Sequence, residues 1–151
     1  MIRIFTLFRE LDFDKLASVY GLDTADRFDE YQDFCDYLRN NFFAIPGGFY
    51  AVWEENGRYA CAVRAEYYRD GFLIAGLETK PDLRNQGYAK KLLHATFEAG
   101  MIPRGLPVYA HIHKKNAASI AVHTACGFVR KLEHAVFIDG SYYQSHCTMV
   151  K

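Results

Sequence analysis

The chain has 151 residues, half of them hydrophobic, and 18 Lys+Arg balance 18 Asp+Glu. This predicts one domain over 1–151 with a sizeable core and argues against nucleic-acid binding through a basic face. No run approaches the roughly 20 apolar residues of a membrane helix, and the short N-terminal apolar run lacks the small-residue cleavage site of a signal peptide.

In chain order, Ile2 to Phe8 alternates and predicts a first strand. Asp12 or Asp14 caps a helix through Lys15, Leu16 and Val19, which Gly21 ends. Phe28, Tyr31, Phe34, Cys35, Leu38 and Phe42 recur at steps of three and four, giving an amphipathic helix from Asp26 to Asn41. Pro46-Gly47-Gly48 breaks it. The runs Phe49–Glu54, Tyr59–Tyr68 and Phe72–Thr79 follow, separated by Asn56-Gly57 and Arg69-Asp70-Gly71, and predict an antiparallel meander. The next helix carries Ala89, Leu92, Leu93, Thr96 and Phe97 on one face and stops at Gly100. Pro107–His113 is a strand, and the long crossover to it from Phe72–Thr79 predicts a parallel, right-handed connection. Asn116 opens a last helix, through Ile120, Ala121 and Thr124, that ends at Gly127. Phe128–Ile138 and Tyr142–Val150 are the final strands, expected to be joined as a hairpin by Asp139-Gly140.

The turn between the third meander strand and its helix reads Pro81-Asp82-Leu83-Arg84-Asn85-Gln86-Gly87-Tyr88-Ala89. Such a turn points backbone N–H groups outward at the positive end of a helix dipole, a ready phosphate site. Gly87 and Ala89 are small enough to let an anion reach the backbone. Arg84 as a solvated charge, Gly87 as a simple helix start and Asn116 as a plain N-cap are the structural alternatives. The cysteines Cys35, Cys61, Cys126 and Cys147 have neither metal-ligand nor redox spacing, which predicts no metal and reduced thiols in a cytoplasmic protein.

Arg84, Gly87 and Ala89 match the pattern Arg-x-x-Gly-x-Ala, and Asn116-Ala117-Ala118-Ser119 through Gly127-Phe128 forms a second motif downstream. With the two in order, the chain resembles the GNAT superfamily of N-acetyltransferases. The resemblance implies an α/β fold: a mixed, mostly antiparallel sheet of roughly six to seven strands with a splayed parallel central pair, flanked by about four helices. It implies acetyl-CoA as co-substrate, with its diphosphate on the N–H groups of Arg84, Asn85, Gln86, Gly87, Tyr88 and Ala89. It implies pantetheine paired to the backbone of Leu77 and Thr79, and a cofactor contact from Asn116. In many members a Tyr seven residues after the motif Asn protonates the leaving thiolate; this chain has His123 there, a competent proton carrier near neutrality. Glu78, at the end of the cofactor strand, is the candidate general base, with His111 and His113 nearby and Tyr142 and Tyr143 as other donors.

The acceptor implied is the primary amine of a small molecule, met by the N-terminal helices and the segments Phe42–Tyr50 and Tyr142–Tyr143, with no nucleic acid or membrane partner and a homodimer as the family-like assembly. The departure at His123 keeps a second reading open, a non-catalytic acyl-CoA-binding sensor; acetylation of a peptide or protein amine is the third.

Overall fold

The structure is a computed structural model describing residues 1–151. In chain order its elements are β1 (Ile2–Phe5), α1 (Phe13–Val19), α2 (Phe28–Tyr37), β2 (Phe49–Glu55), β3 (Arg58–Tyr68), β4 (Gly71–Thr79) and α3 (Tyr88–Glu98). They continue with β5 (Val108–His113), α4 (Ala117–Ala125), β6 (Val129–Leu132), β7 (Ala135–Val136), β8 (Tyr142–Tyr143) and β9 (His146–Val150). Seven strands make one sheet in the order β1-β2-β3-β4-β5-β9-β6. All neighbours in it are antiparallel except β4 and β5.

Local chemistry accounts for the helix ends. Asp12 Oδ1 accepts from Lys15 N–H at 3.1 Å and starts α1. Asn116 Oδ1 does the same for Ser119 N–H at 3.1 Å and starts α4. The amphipathic helix expected through Asn41 is α2 extended by one π turn over Leu38–Phe42, which buries Leu38 and Phe42.

Two cores lie on opposite faces of the sheet. One joins Cys61, Val63, Ala65 and Ile74 to Leu92 and Leu93 of α3 and to Phe128. The other joins Tyr50, Val52 and Ala62 to Leu16 and Val19 of α1 and to Leu38 and Phe42. Period-2 alternation along β3 sends Cys61, Val63 and Ala65 to the first face. Ala62 goes to the second, and Arg64 and Glu66 follow it there.

Two features of β4 make the site. Its parallel ladder with β5 pairs Phe72 with Val108, Leu73 with Tyr109 and Ile74 with Ala110, and stops there; beyond it the strands fork. At the same point the β3–β4 register slips, since Ala62 faces Glu78 but Arg64 faces Ala75. Gly76 and Leu77 therefore stand against Val63 alone, a bulge that turns Gly76 to φ 64°.

Two expectations are corrected. The first strand ends at Phe5, not Phe8, because Phe8 turns away in a 3-10 segment and packs on Phe13 and Phe43. The C-terminal hairpin about Asp139-Gly140 forms in two pieces rather than as one ladder: β6 pairs antiparallel with β9 and β7 with β8, the chain leaves the ladder between Leu132 and Ala135, and β9 also pairs with β5. The chain leaves the sheet after Leu132, where Arg130 folds back onto Glu133 and Thr148 Oγ1 captures the His134 carbonyl.

Candidate active site

Three cavities run through the fork and share their walls. On the α3 side, a cavity of about 270 Å³ is lined by Leu77, Glu78, Thr79, Arg84, Gly87 and Asn116, among others. In the fork itself, about 230 Å³ is enclosed by Ile74–Leu77 of β4, Ala110–His113 of β5, and Asn116, Ser119, His123 and His146. On the α1–α2 face, about 450 Å³ lies among Tyr37, Phe42, Arg64, Glu66, His111 and Phe137. Leu77, Asn116 and Ser119 border the first two, and Ile74, Ala75 and His111 border the last two. A larger depression of about 640 Å³ near Pro103–Val108 includes none of these residues.

The turn before α3 leaves its main-chain donors free and open. Gly87 sits at φ 82°, left-handed backbone that glycine adopts without strain. A Cβ placed there would meet nothing within 4 Å, so the surface over it is open. The first intrahelical bond to reach back is Lys91 N–H to Gly87 O at 3.1 Å, and no N–H from Arg84 through Lys90 has a protein acceptor. Those amides are the free donors of a helix start, at the end where the dipole is positive.

Arg84 is not merely solvated. Its Nε donates to Thr79 O at 3.2 Å and its Nη2 pairs with Glu78 Oε1 at 3.0 Å, which clips the turn to the end of β4. Glu78 thus borders the α3-side cavity, paired with Arg84, and not the cavity on the α1–α2 face.

The edge of β4 offers main-chain groups to the fork. Lys80 N–H donates to Ala60 O at 2.8 Å and Glu78 is in register with Ala62. Antiparallel residues alternate the side to which their amides turn, so Leu77 and Thr79 direct theirs away from β3, into the fork. Asn116 spends its Oδ1 on the helix cap, leaving its amide NH₂ to the two cavities it borders.

His123 is buried at the fork, edge-on to Phe128 at 5.2 Å. Its Nδ1 faces the Ser119 carbonyl at 2.7 Å, which only an N–H satisfies, so the neutral ring carries its proton on Nδ1. Nε2, without a protein hydrogen bond, is then a proton acceptor. Burial lowers the His123 pKa from its usual value, against a smaller opposing effect of the Ser119 carbonyl. His111 is similar. Thr148 Oγ1 gives its proton to His134 O at 2.8 Å and so accepts from His111 Nδ1 at 2.9 Å, leaving His111 Nε2 buried without a partner. Burial lowers its pKa too. No three metal-ligating side chains converge anywhere.

A model of the acetyltransferase (GNAT) family matches residues 16–128, most of the chain. The chain belongs to this family. As a GNAT acyltransferase it shares a fold with proteins of low sequence identity and nearly full coverage. Escherichia coli ElaA is 17% identical, with 100% of this chain and 99% of that one covered and a TM-score of 0.68. The ribosomal-protein-alanine N-acetyltransferase of Brucella melitensis is 22% identical, with 100% and 98% covered and a TM-score of 0.67. Salmonella typhimurium yncA, solved with its cofactor acetyl-CoA, is 19% identical, with 99% and 92% covered and a TM-score of 0.68. A search of curated proteins finds no match.

The structure gathers the donor-side residues expected from the motifs around one cavity: Leu77, Thr79, Arg84, Asn85, Gly87, Tyr88, Ala89 and Asn116 all border it, and Gln86 lies within the same turn. It adds Gly76 at the bulge and Arg64 and Tyr37 on the opposite face, which no motif marked, and it places the expected His111 and His113 in the wall of the fork. Tyr142 and Tyr143 stand exposed on β8 and border neither the fork nor the cavity of the α1–α2 face. Arg64 had a signal of its own, a lone charge inside the apolar run Tyr59–Ala65.

Proposed function

We propose that this GNAT acyltransferase moves an acetyl group from acetyl-CoA to the primary amine of a small molecule. The observation that carries the reading is the continuity of the three cavities: an amide-lined anion cradle, a fork with free strand edge, and a side-chain-lined pocket behind it. Acetyl-CoA supplies a thioester, whose C–S bond is exchanged for a C–N bond while a proton leaves nitrogen and one finishes on sulfur.

The protein's own work divides by cavity. The N–H groups of Arg84, Asn85, Gln86, Gly87, Tyr88 and Ala89 hold the diphosphate, and their orientation is fixed before binding. Leu77 and Thr79 pair through the main chain with the extended arm of the cofactor, and the Asn116 amide contacts it from α4. His123 accepts a proton at Nε2 and, with a pKa kept low by burial, gives it up readily. Glu78 is a positioning residue acting through Arg84, to which it is paired. The acceptor enters from the α1–α2 face, where exposed Ile45 and Ile138 stand at the rim of a pocket of molecular size. Four free, buried thiols suit a reducing, cytoplasmic setting; no helix is long and apolar enough to cross a membrane.

Calorimetry with acetyl-CoA followed by an amine panel tests the reading. Binding with turnover of small amines supports it, and His123→Gln then lowers kcat by about 100-fold with acetyl-CoA affinity retained. Binding without turnover of any amine favours a sensor. Turnover confined to peptide N-termini or protein lysines favours a macromolecular acceptor.

A further inference from the structure

Arg64 is the charged group that the donor chemistry leaves unexplained. It points from the middle of β3 into the α1–α2 face, between Tyr50 on one neighbouring strand and Ala75 on the other. Its guanidinium carbon lies 5.7 Å from the Tyr37 ring centroid, and the Tyr50 hydroxyl is beside it. Its Nη1 rests against the bulge, so close that a Cβ on Gly76 would lie 2.8 Å from it. Tyr20 braces the same spot, donating its hydroxyl proton to Gly76 O at 2.5 Å and accepting from Tyr50 OH at 2.8 Å.

No carboxylate of the protein forms an ion pair with this cation, although Glu66, whose pKa burial raises, is drawn part of the way back by it. Arg64 takes part in none of the ion pairs, and its Nε is buried without an acceptor. Glu66 and Asp139 are the carboxylates of the same cavity, and neither comes within ion-pair distance of it. Glu66 faces Leu73, two residues farther from the fork than the Ala75 opposite Arg64. An arginine stays protonated at any working pH, and a charge withdrawn from water without an opposite charge is costly. A ligand carboxylate offers the planar partner that a guanidinium takes in two parallel hydrogen bonds.

We propose that the acceptor is a free α-amino acid with an apolar side chain, its carboxylate held by Arg64. The inference rests on the acetyltransferase reading and narrows its substrate. The place of Arg64 sets the spacing. Its head group sits at Gly76, one residue before the Leu77 amide that faces the fork, so the amine to be acetylated stands a few bonds from the carboxylate. An α-amino acid meets that limit. Its side chain then points to Phe42, Ile45, Phe137 and Ile138. The product is the N-acetyl amino acid: a C–N bond replaces the thioester C–S bond, and the amine's proton finishes on the thiol.

The test uses the purified full chain and acetyl-CoA with leucine, methionine and phenylalanine, their amides, and peptides that begin with the same residues. The expected kcat/KM for the free acids exceeds that for amides and peptides by about 30-fold or more, the usual loss when one partner of a buried charge pair is removed. Arg64→Met raises KM for the acids by a similar factor, changes KM for the amides at least tenfold less than that for the acids, and leaves acetyl-CoA affinity intact; Arg64→Lys falls between. Without turnover, N-acetyl-leucine binding the coenzyme A-loaded protein at least tenfold tighter than N-acetyl-leucinamide supports the same conclusion, and it needs no variant to fold. Amides or peptides acetylated as well as the acids would overturn this inference while leaving the acetyltransferase reading in place. Failure to bind acetyl-CoA at all would overturn both.

Discussion

In the proposed reading, the donor and acceptor sides of the fork recognise their ligands by different means. On the donor side the functional atoms are main-chain: the free N–H groups from Arg84 through Lys90 and the outward amides of Leu77 and Thr79. On the acceptor side they are side chains brought from separate parts of the sequence, Tyr37 from α2, Arg64 from β3, His111 from β5 and Phe137 from the segment after β7. A backbone site needs only small residues and a turn, so it is written in a short contiguous motif. A side-chain site depends on which distant segments the sheet brings together. One fold can therefore keep its donor while its acceptor pocket changes.

Substitutions should separate the two sides. The largest effect is expected at the turn. Gly87→Glu sets a carboxylate in the anion cradle and should weaken acetyl-CoA binding by about 100-fold or more, near 3 kcal/mol, as read by calorimetry. Gly87→Ala meets nothing within 4 Å and should cost about 1 kcal/mol of stability for its left-handed backbone, with affinity changed only a few-fold. If the two variants bind alike, charge at this turn is irrelevant and the donor site lies elsewhere.

At the bulge the expectation reverses. Gly76→Ala pushes on Arg64 and adopts φ 64° with a side chain. It should cost about 1–2 kcal/mol in denaturant titration and raise the acceptor KM while donor affinity holds. A change in donor affinity alone would mean that the bulge serves only the cofactor strand.

A smaller effect is expected at Glu78. Its pair with Arg84 is about half exposed on both sides, and such pairs are worth at most about 1 kcal/mol. Glu78→Gln should therefore lower acetyl-CoA affinity less than about fivefold and leave kcat nearly unchanged. A fall in kcat of about 100-fold would make Glu78 the base itself.

The smallest effect is in stability against pH. Burial lowers the folded-state pKa of His111, His123 and His146. The unfolded chain, with imidazoles near 6.5, then takes up protons before the folded chain does. Stability that is fully present above about pH 6.5 should decline as pH falls toward the folded pKa values. Thermal melts should show this slope, and His123→Gln should flatten part of it; an unchanged slope would mean that the buried ring does not contribute.

How much the sequence tells follows from the same contrast. The meander, the parallel crossover, the capped α4 and the turn at Gly87 were legible because each rests on local chemistry: turn pairs, a capping side chain, a periodic apolar face. The break after Leu132 was not, because it depends on Thr148 capturing the His134 carbonyl, a contact across 14 positions. The bulge was hidden for a similar reason. Gly76 reads as one glycine in an apolar run, and only the β3 register shows that it stands with Leu77 against a single residue. Arg64 was visible as a charge in an apolar strand, but its meaning needed Tyr20, Tyr37 and Tyr50 around it.

In the proposed site, backbone amides at the start of α3 hold the donor's diphosphate. Amide-resolved NMR during titration with coenzyme A tests it directly. The largest shifts are expected on Arg84 through Lys90, with a second set at Leu77 and Thr79. Saturable binding that leaves the Arg84–Lys90 amides unmoved would contradict it.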